Sequence, residues 1–366
     1  MRSKKVRKPG LTPLFVVFFA VLIIFFIAKL PFFSSPNNII QTVIPALPSP
    51  TPLPPPPSSY VIPQKLHVYE TFNNCGPASL SMLLSYFGIT KTQAELGQKL
   101  RPFQHPKGDN DDKSVTLREL AREAGTHGLL AYHRPNGDSE LLKQFIAHDI
   151  PVITRTWLKP DEDIGHYRVV RGYDDEKKTL IQDDSLQGNN LSYSYNDFDV
   201  LWKKFNYEYL VLVPKEKRKL AENILGANLD EKRSWQIAVT NTRDTLAKDP
   251  QDIYARFNLS VALYNTGNYQ QSVAEFEKVE DDLPFRTLWY QTEPIHANVA
   301  LKKYDRVFEI TDKIIANGNR GFSELYLIRG NIYKAQGKKD LARQEFEKAV
   351  LYNKNLKSAR EALEET

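Results

Sequence analysis

Glu70-Thr71-Phe72-Asn73-Asn74-Cys75-Gly76-Pro77-Ala78-Ser79 holds the single cysteine of a 366-residue chain. Pro77 and the apolar set Leu80, Leu83, Leu84 and Phe87, closed by Gly88, predict an amphipathic helix beginning at the cysteine. Unpaired N–H groups and the macrodipole at a helix N-terminus favour a thiolate, the form in which sulfur is a nucleophile. Cys75 is therefore expected to have a lowered pKa, and Gly76 lets a substrate backbone come close. A lone cysteine before a helix is also a common small buried apolar residue, so the segment needs partners elsewhere.

Those partners are a base and a group to hold it. His166 lies in the strand-like run His166 to Tyr173, a DDEKK loop follows, and a second strand, Thr179 to Gln182, ends in Asp183-Asp184. An antiparallel hairpin brings the start of one strand beside the end of the next, so either aspartate can reach His166. The competing reading makes His166 an ordinary strand residue and the aspartates turn caps. Around this hairpin, Thr116 with Glu119, and Asp138 before Leu141 to Ile146, predict two helix starts, and 151–158 and 209–213 predict strands. Helices first and strands later give an α+β domain over residues 64–214.

Asn74-Cys75-Gly76-Pro77-Ala78, Gly165-His166-Tyr167 with Gly172-Tyr173-Asp174, and Asp184-Ser185 with Gly188 resemble the bacteriocin-processing, double-glycine-leader peptidases and their papain-like relatives. The resemblance covers about 150 residues. It implies Cys75 as nucleophile, His166 as general base, Asp184 as third member, and peptide-bond cleavage through a thioester. One position departs from it. Such domains carry a glutamine five or six residues before the cysteine, whose amide donates to the oxyanion, where this chain has Tyr69 and Glu70. An ionised Glu70 only accepts, so it must be protonated, or donors such as the Cys75 N–H or the Asn73 or Asn74 side chain must serve, or catalysis is weak.

From residue 215 to 366 the chain is helix-compatible, with a period near 34. Asp249-Pro250 recurs as Leu283-Pro284, and Gly267-Asn268-Tyr269 as Gly337-Lys338-Lys339. This resembles tetratricopeptide repeats, best over 323–354, where Tyr326, Gly330, Tyr333, Ala342, Phe346 and Ala349 take packing positions. Ile253 to Pro284 matches less fully, and 219–252 and 288–322 are degenerate. A plain helical bundle is the alternative. Such repeats imply a protein partner.

The net charge of +5 is set by Arg2, Lys4, Lys5, Arg7 and Lys8, leaving 44 basic and 44 acidic residues in the rest. No nucleic-acid partner is expected. Residues 1–10 read as a basic cytoplasmic tail and 11–33 as a transmembrane helix built on Leu14 to Ala28, in place of a cleaved signal peptide, because no small-x-small site follows. Residues 34–63 read as a proline-rich linker, with nine prolines between 34 and 60. The positive-inside rule then puts the later domains outside the cell membrane.

No cofactor or metal is expected, because the other histidines (67, 105, 127, 133, 148 and 296) lack ligand spacing and one cysteine makes neither a disulfide nor a Cys-based zinc cluster. The acidic runs 109–112 and 161–163 read as solvated loops, the second as a possible negative rim for basic peptides. Two functions follow: an anchored extracytoplasmic cysteine peptidase acting on a peptide or protein, with acyl transfer to an amine using the same residues, or an inactive binding module on a repeat scaffold.

Overall fold

The computed structural model describes residues 53–103 and 114–366. Seven strands form one antiparallel sheet: β1 (Ser59–Val61), β2 (Leu130–Arg134), β3 (Val152–Lys159), β4 (Glu162–Asp174), β5 (Thr179–Asp184), β6 (Gly188–Ser194) and β7 (Tyr209–Val213). Their order is β2-β7-β3-β4-β5-β6, with β1 added against β4.

Helices cover both faces of the sheet. On one lie α1 (Cys75–Ser85), α2 (Gln93–Leu100) and α3 (Leu117–Gly125); on the other, α4 (Ser139–Ile146) and α5 (Tyr195–Trp202). Strand alternation sorts the core between them. Ile153, Val169, Leu210 and Leu212 meet Leu80, Leu83, Leu84, Leu117 and Leu120. Their neighbours Val152, Val170, Val211 and Val213 meet Leu142, Phe145, Phe198 and Trp202. Strands covered on both sides read as continuous apolar runs, and YLVLV of β7 is buried throughout. Both expected helix starts are made: Thr116 and Glu119 form a capping box, and Asp138 accepts from the Leu141 N–H.

Two sequence boundaries move. The linker expected over 34–63 ends sooner, because Ser59, Tyr60 and Val61 pair with Asp174, Tyr173 and Gly172. The last proline of the run is Pro57, so the next N–H groups are free to join a ladder. At the other end, α6 (Arg218–Leu225), drawn with the repeats, places Ala221 and Leu225 in the sheet core beside α4.

Beyond it run α7 (Glu231–Lys248), α8 (Ile253–Asn265), α9 (Tyr269–Glu277), α10 (Thr287–Tyr290), α11 (Glu293–Ala300), α12 (Tyr304–Ala316), α13 (Ser323–Ala335), α14 (Lys339–Tyr352) and α15 (Lys357–Glu364). Gly267 and Gly337 end α8 and α13 at φ of 85° and 73°, a left-handed conformation suited to glycine. Gly330 lets α13 and α14 close up: a Cβ there would stand 2.4 Å from Phe346.

The helical region is docked on the sheet domain along its length. Near its start, Arg134 donates to the Asn228 and Leu229 carbonyls, Arg118 pairs with Glu231, and Asn206 donates to the Asn258 carbonyl. Near its end, Asn355 donates to the carbonyls of Gln98 and Lys99, and Tyr352 stacks edge-on against Phe103.

The expected tail 1–10, the span 11–33, linker residues up to 52 and the run 109–112 lie outside the described residues. Among the described residues no helix is long and apolar enough to cross a membrane.

Candidate active site

Cys75 is the first residue of α1, which packs across β4, and it is partly exposed. The loop before it is pinned from α2: the Gln93 side chain accepts from the Thr71 N–H and donates to the Tyr69 carbonyl, and Glu70 N–H donates to the Ser185 carbonyl at 2.8 Å. This fixes Glu70 beside the cysteine. One atom each of Glu70, Cys75 and His166 lie within 4.8 Å of one another, a set that could hold a metal ion.

His166 lies on β4 and Asp184 ends β5. Arg168 is directly opposite Asp184, and His166, two residues earlier, shares that face, so its Nε2 reaches Asp184 Oδ1 at 2.9 Å. Asp183 points the other way and pairs with Arg171 at 2.7 Å. Alternation along the strand thus decides between two aspartates that hairpin reasoning left equal.

Asp184 is fully buried, and its Oδ1 also accepts the Leu186 and Gln187 N–H groups at 2.8 Å each. Its Oδ2 lies 3.2 Å from Arg168 Nε, close enough for charge attraction but without hydrogen-bond alignment. Burial raises its pKa, yet the His166 contact, the Arg168 charge and the Gln187 N–H outweigh that and bring it to about 2. Asp184 is then an acceptor at neutral pH, so Nε2 of His166 carries the proton and Nδ1 is left for the cleft side. Nδ1 lies 4.0 Å from Glu70 Oε2.

The thiol departs from expectation. Burial, then the nearby Glu70 carboxylate, holds Cys75 well above the ordinary thiol range, and the Arg101 charge and the Gly76 N–H pull the other way by less. Glu70 is itself raised, mainly by burial, against the pull of His166 and of the Ser185 hydroxyl that donates to Oε2. The Asn74 side chain, one of the expected substitute donors, is turned away: its amide donates to Thr71 Oγ1 at 2.7 Å and its oxygen accepts from Arg101 at 2.9 Å.

Cys75 and His166 open into a cleft of about 450 Å³. Its lining includes Phe72, Ile164 and Leu186 of the sheet domain and Arg286, Trp289 and Tyr290 of the helical region. Arg286 Nη1 binds Asp163 Oδ1 at 2.6 Å, so the expected negative rim is compensated there, and Glu162 pairs with Lys159. No signal in the sequence pointed to these three helical residues, which lie more than a hundred positions from His166 and carry no local motif.

Residues 60–210 match the Peptidase_C39 like family. The sheet domain is similar to that family. Residues 323–356 match a tetratricopeptide repeat, so the chain is a C39-like domain followed by a repeat region. No curated protein matches the chain. Among solved structures, the C39-like part resembles a double glycine motif protease from an AMS/PCAT transporter, crystallised with its leader peptide: 18% identity and TM-score 0.33, covering 43% of this chain and 95% of that one. It also resembles the peptidase domain of Streptococcus ComA, a bifunctional ABC transporter: 20% identity and TM-score 0.31, covering 43% and 98%. MamA from Desulfovibrio magneticus is similar at 17% identity and TM-score 0.30, covering 36% and 83%.

Proposed function

We propose that the chain is a cysteine peptidase in which Cys75 is the nucleophile, His166 the general base and Asp184 the residue that orients the imidazole. The observation that carries the reading is the juxtaposition of the Cys75 sulfur with a His166 ring nitrogen within 4.8 Å, beside a cleft, with His166 Nε2 held by Asp184 at 2.9 Å.

Cys75 rests as a thiol, so proton transfer and attack go together. His166 Nδ1 takes the thiol proton as sulfur bonds to the peptide carbonyl carbon, and the Asp184 carboxylate stabilises the imidazolium. The carbonyl oxygen becomes an oxyanion near the N-terminus of α1, where backbone N–H groups point outward. His166 then gives its proton to the leaving amine, the C–N bond breaks, and a thioester remains. Water, deprotonated by His166, releases the acid. An amine in place of water gives acyl transfer with the same residues.

Anchoring by residues 11–33, with both domains outside the membrane and the repeats engaging a protein partner, completes the proposal. Labelling by a thiol-reactive probe tests it: the labelling rate of Cys75 depends on His166 and falls in His166→Ala. A second reading, an inactive binding module, is favoured by the raised thiol and by Glu70, and it requires slow labelling that is indifferent to His166→Ala.

A further inference from the structure

We propose that the helical region supplies one wall of the substrate cleft, and that Trp289 and Tyr290, facing Phe72, Ile164 and Leu186, select a peptide with a large apolar side chain next to the bond that Cys75 attacks. The inference rests on the peptidase reading and adds to it the substrate class and the residues that choose it.

The wall is built in place. The Arg286 guanidinium and its backbone N–H both bind the Asp163 carboxylate, at 2.6 and 3.2 Å. Arg155, buried beneath, donates to the Tyr290 carbonyl at 2.7 Å. The Tyr290 ring lies so close over Gly165, the residue before His166, that a Cβ there would meet it at 3.0 Å. The absence of a side chain at 165 therefore has a physical cause lying 125 positions away. These contacts tie α10 to the strand that carries His166.

The chemistry of the wall follows from what is already paired. Arg286 is matched by Asp163, and Arg155 lies 3.8 Å from Glu208, so neither guanidinium is free to recruit an acidic substrate. Glu70, when ionised, opposes one. The large exposed side chains of the lining are apolar: Phe72, Ile164 and Leu186 are 51%, 38% and 51% exposed, and all three line this cleft with Trp289 and Tyr290. Large apolar side chains left in water on a compact domain mark a binding surface when they converge. Burying a Leu or Phe side chain among them is worth roughly a tenfold to hundredfold preference over glycine.

The test uses the full chain and fluorogenic peptides that differ only at the residues flanking the cleaved bond: Leu or Phe, Gly, Asp, and Lys. The expected kcat/KM for Leu or Phe exceeds that for Gly by at least about tenfold. Trp289→Leu and Tyr290→Leu reduce this preference severalfold through KM, and Leu186→Ser, at an exposed position that does not threaten folding, does the same from the opposite wall. Arg286→Asp disturbs the preference, and adding Asp163→Arg restores it. Equal turnover of Leu and Gly peptides, or Cys75-dependent cleavage whose selectivity ignores all these variants, overturns the inference. Absence of any Cys75-dependent cleavage sinks the peptidase reading instead. The wall is then judged by binding of the same Leu and Gly peptides to Cys75→Ala, where equal affinities refute it and tighter Leu binding, lost in Trp289→Leu, supports it.

Discussion

Replacing Glu70 with glutamine removes one negative charge beside the sulfur and leaves the shape of the site. At 4.8 Å, the outer limit of the Glu70 to Cys75 separation, with an effective dielectric of about 20, an ionised carboxylate raises the energy of a thiolate by about 3 kcal/mol. That corresponds to on the order of a hundredfold in thiolate population, and hence in the rate of capture by an alkylating probe. The glutamine amide also adds a donor where an oxyanion would form, an interaction worth roughly a hundredfold or more in kcat. The sign with pH is definite. Glu70 is raised above its ordinary value, so it is neutral below its folded pKa and charged above it. In the native chain the penalty on Cys75 therefore grows as pH rises through that pKa; in Glu70→Gln it is absent at every pH. The assay is the pH dependence of iodoacetamide labelling of Cys75, followed by mass spectrometry. The two proteins should react alike in acid, with the variant pulling ahead toward neutrality. Equal or slower labelling of the variant at neutral pH refutes the reasoning and removes Glu70 from the position facing the sulfur.

Asp184→Asn should cost about 2 kcal/mol of stability at neutral pH, because a carboxylate brought from 3.8 to about 2 by its partners contributes stability above pH 4 that fades as pH falls toward 2; denaturant melts at pH 7 and near pH 2 should show the difference shrinking. Gly330→Ala places a methyl 2.4 Å from the Phe346 ring, and the overpacking should lower stability by about 1–3 kcal/mol, read as a drop in Tm. Zn²⁺ should protect Cys75 from alkylation by binding the Glu70, Cys75 and His166 set, with chelator restoring reactivity and Glu70→Ala weakening the protection.

Much of the sheet domain was legible because its signals are local. Capping boxes, a proline near a helix start and apolar runs each act within a few residues, and the strands expected at 151–158 and 209–213 stand at Val152–Lys159 and Tyr209–Val213. β2 and β6 were missed: LAYHR is half-buried along its length, and GNNLSYS carries too few apolar residues to announce a strand. At the site, the pairing of His166 with Asp184 follows from strand alternation once register is known. Register depends on a bulge between Val170 and Gly172 that no residue pattern advertises. The helix N-terminus that favours a thiolate is written in the sequence, whereas the desolvation that opposes it is a property of the packed site. The repeat residues in the cleft stayed hidden for the same reason.

Asn355 grips the end of α2 while Arg286 and Tyr290 grip β3 and β4. A stack of helix pairs bends as a sum of small hinge angles, one per repeat. Fastened at its middle and its far end to one rigid block, this stack has its curvature set by that block, and a ligand that changed the pitch between repeats would do mechanical work on the strands beneath.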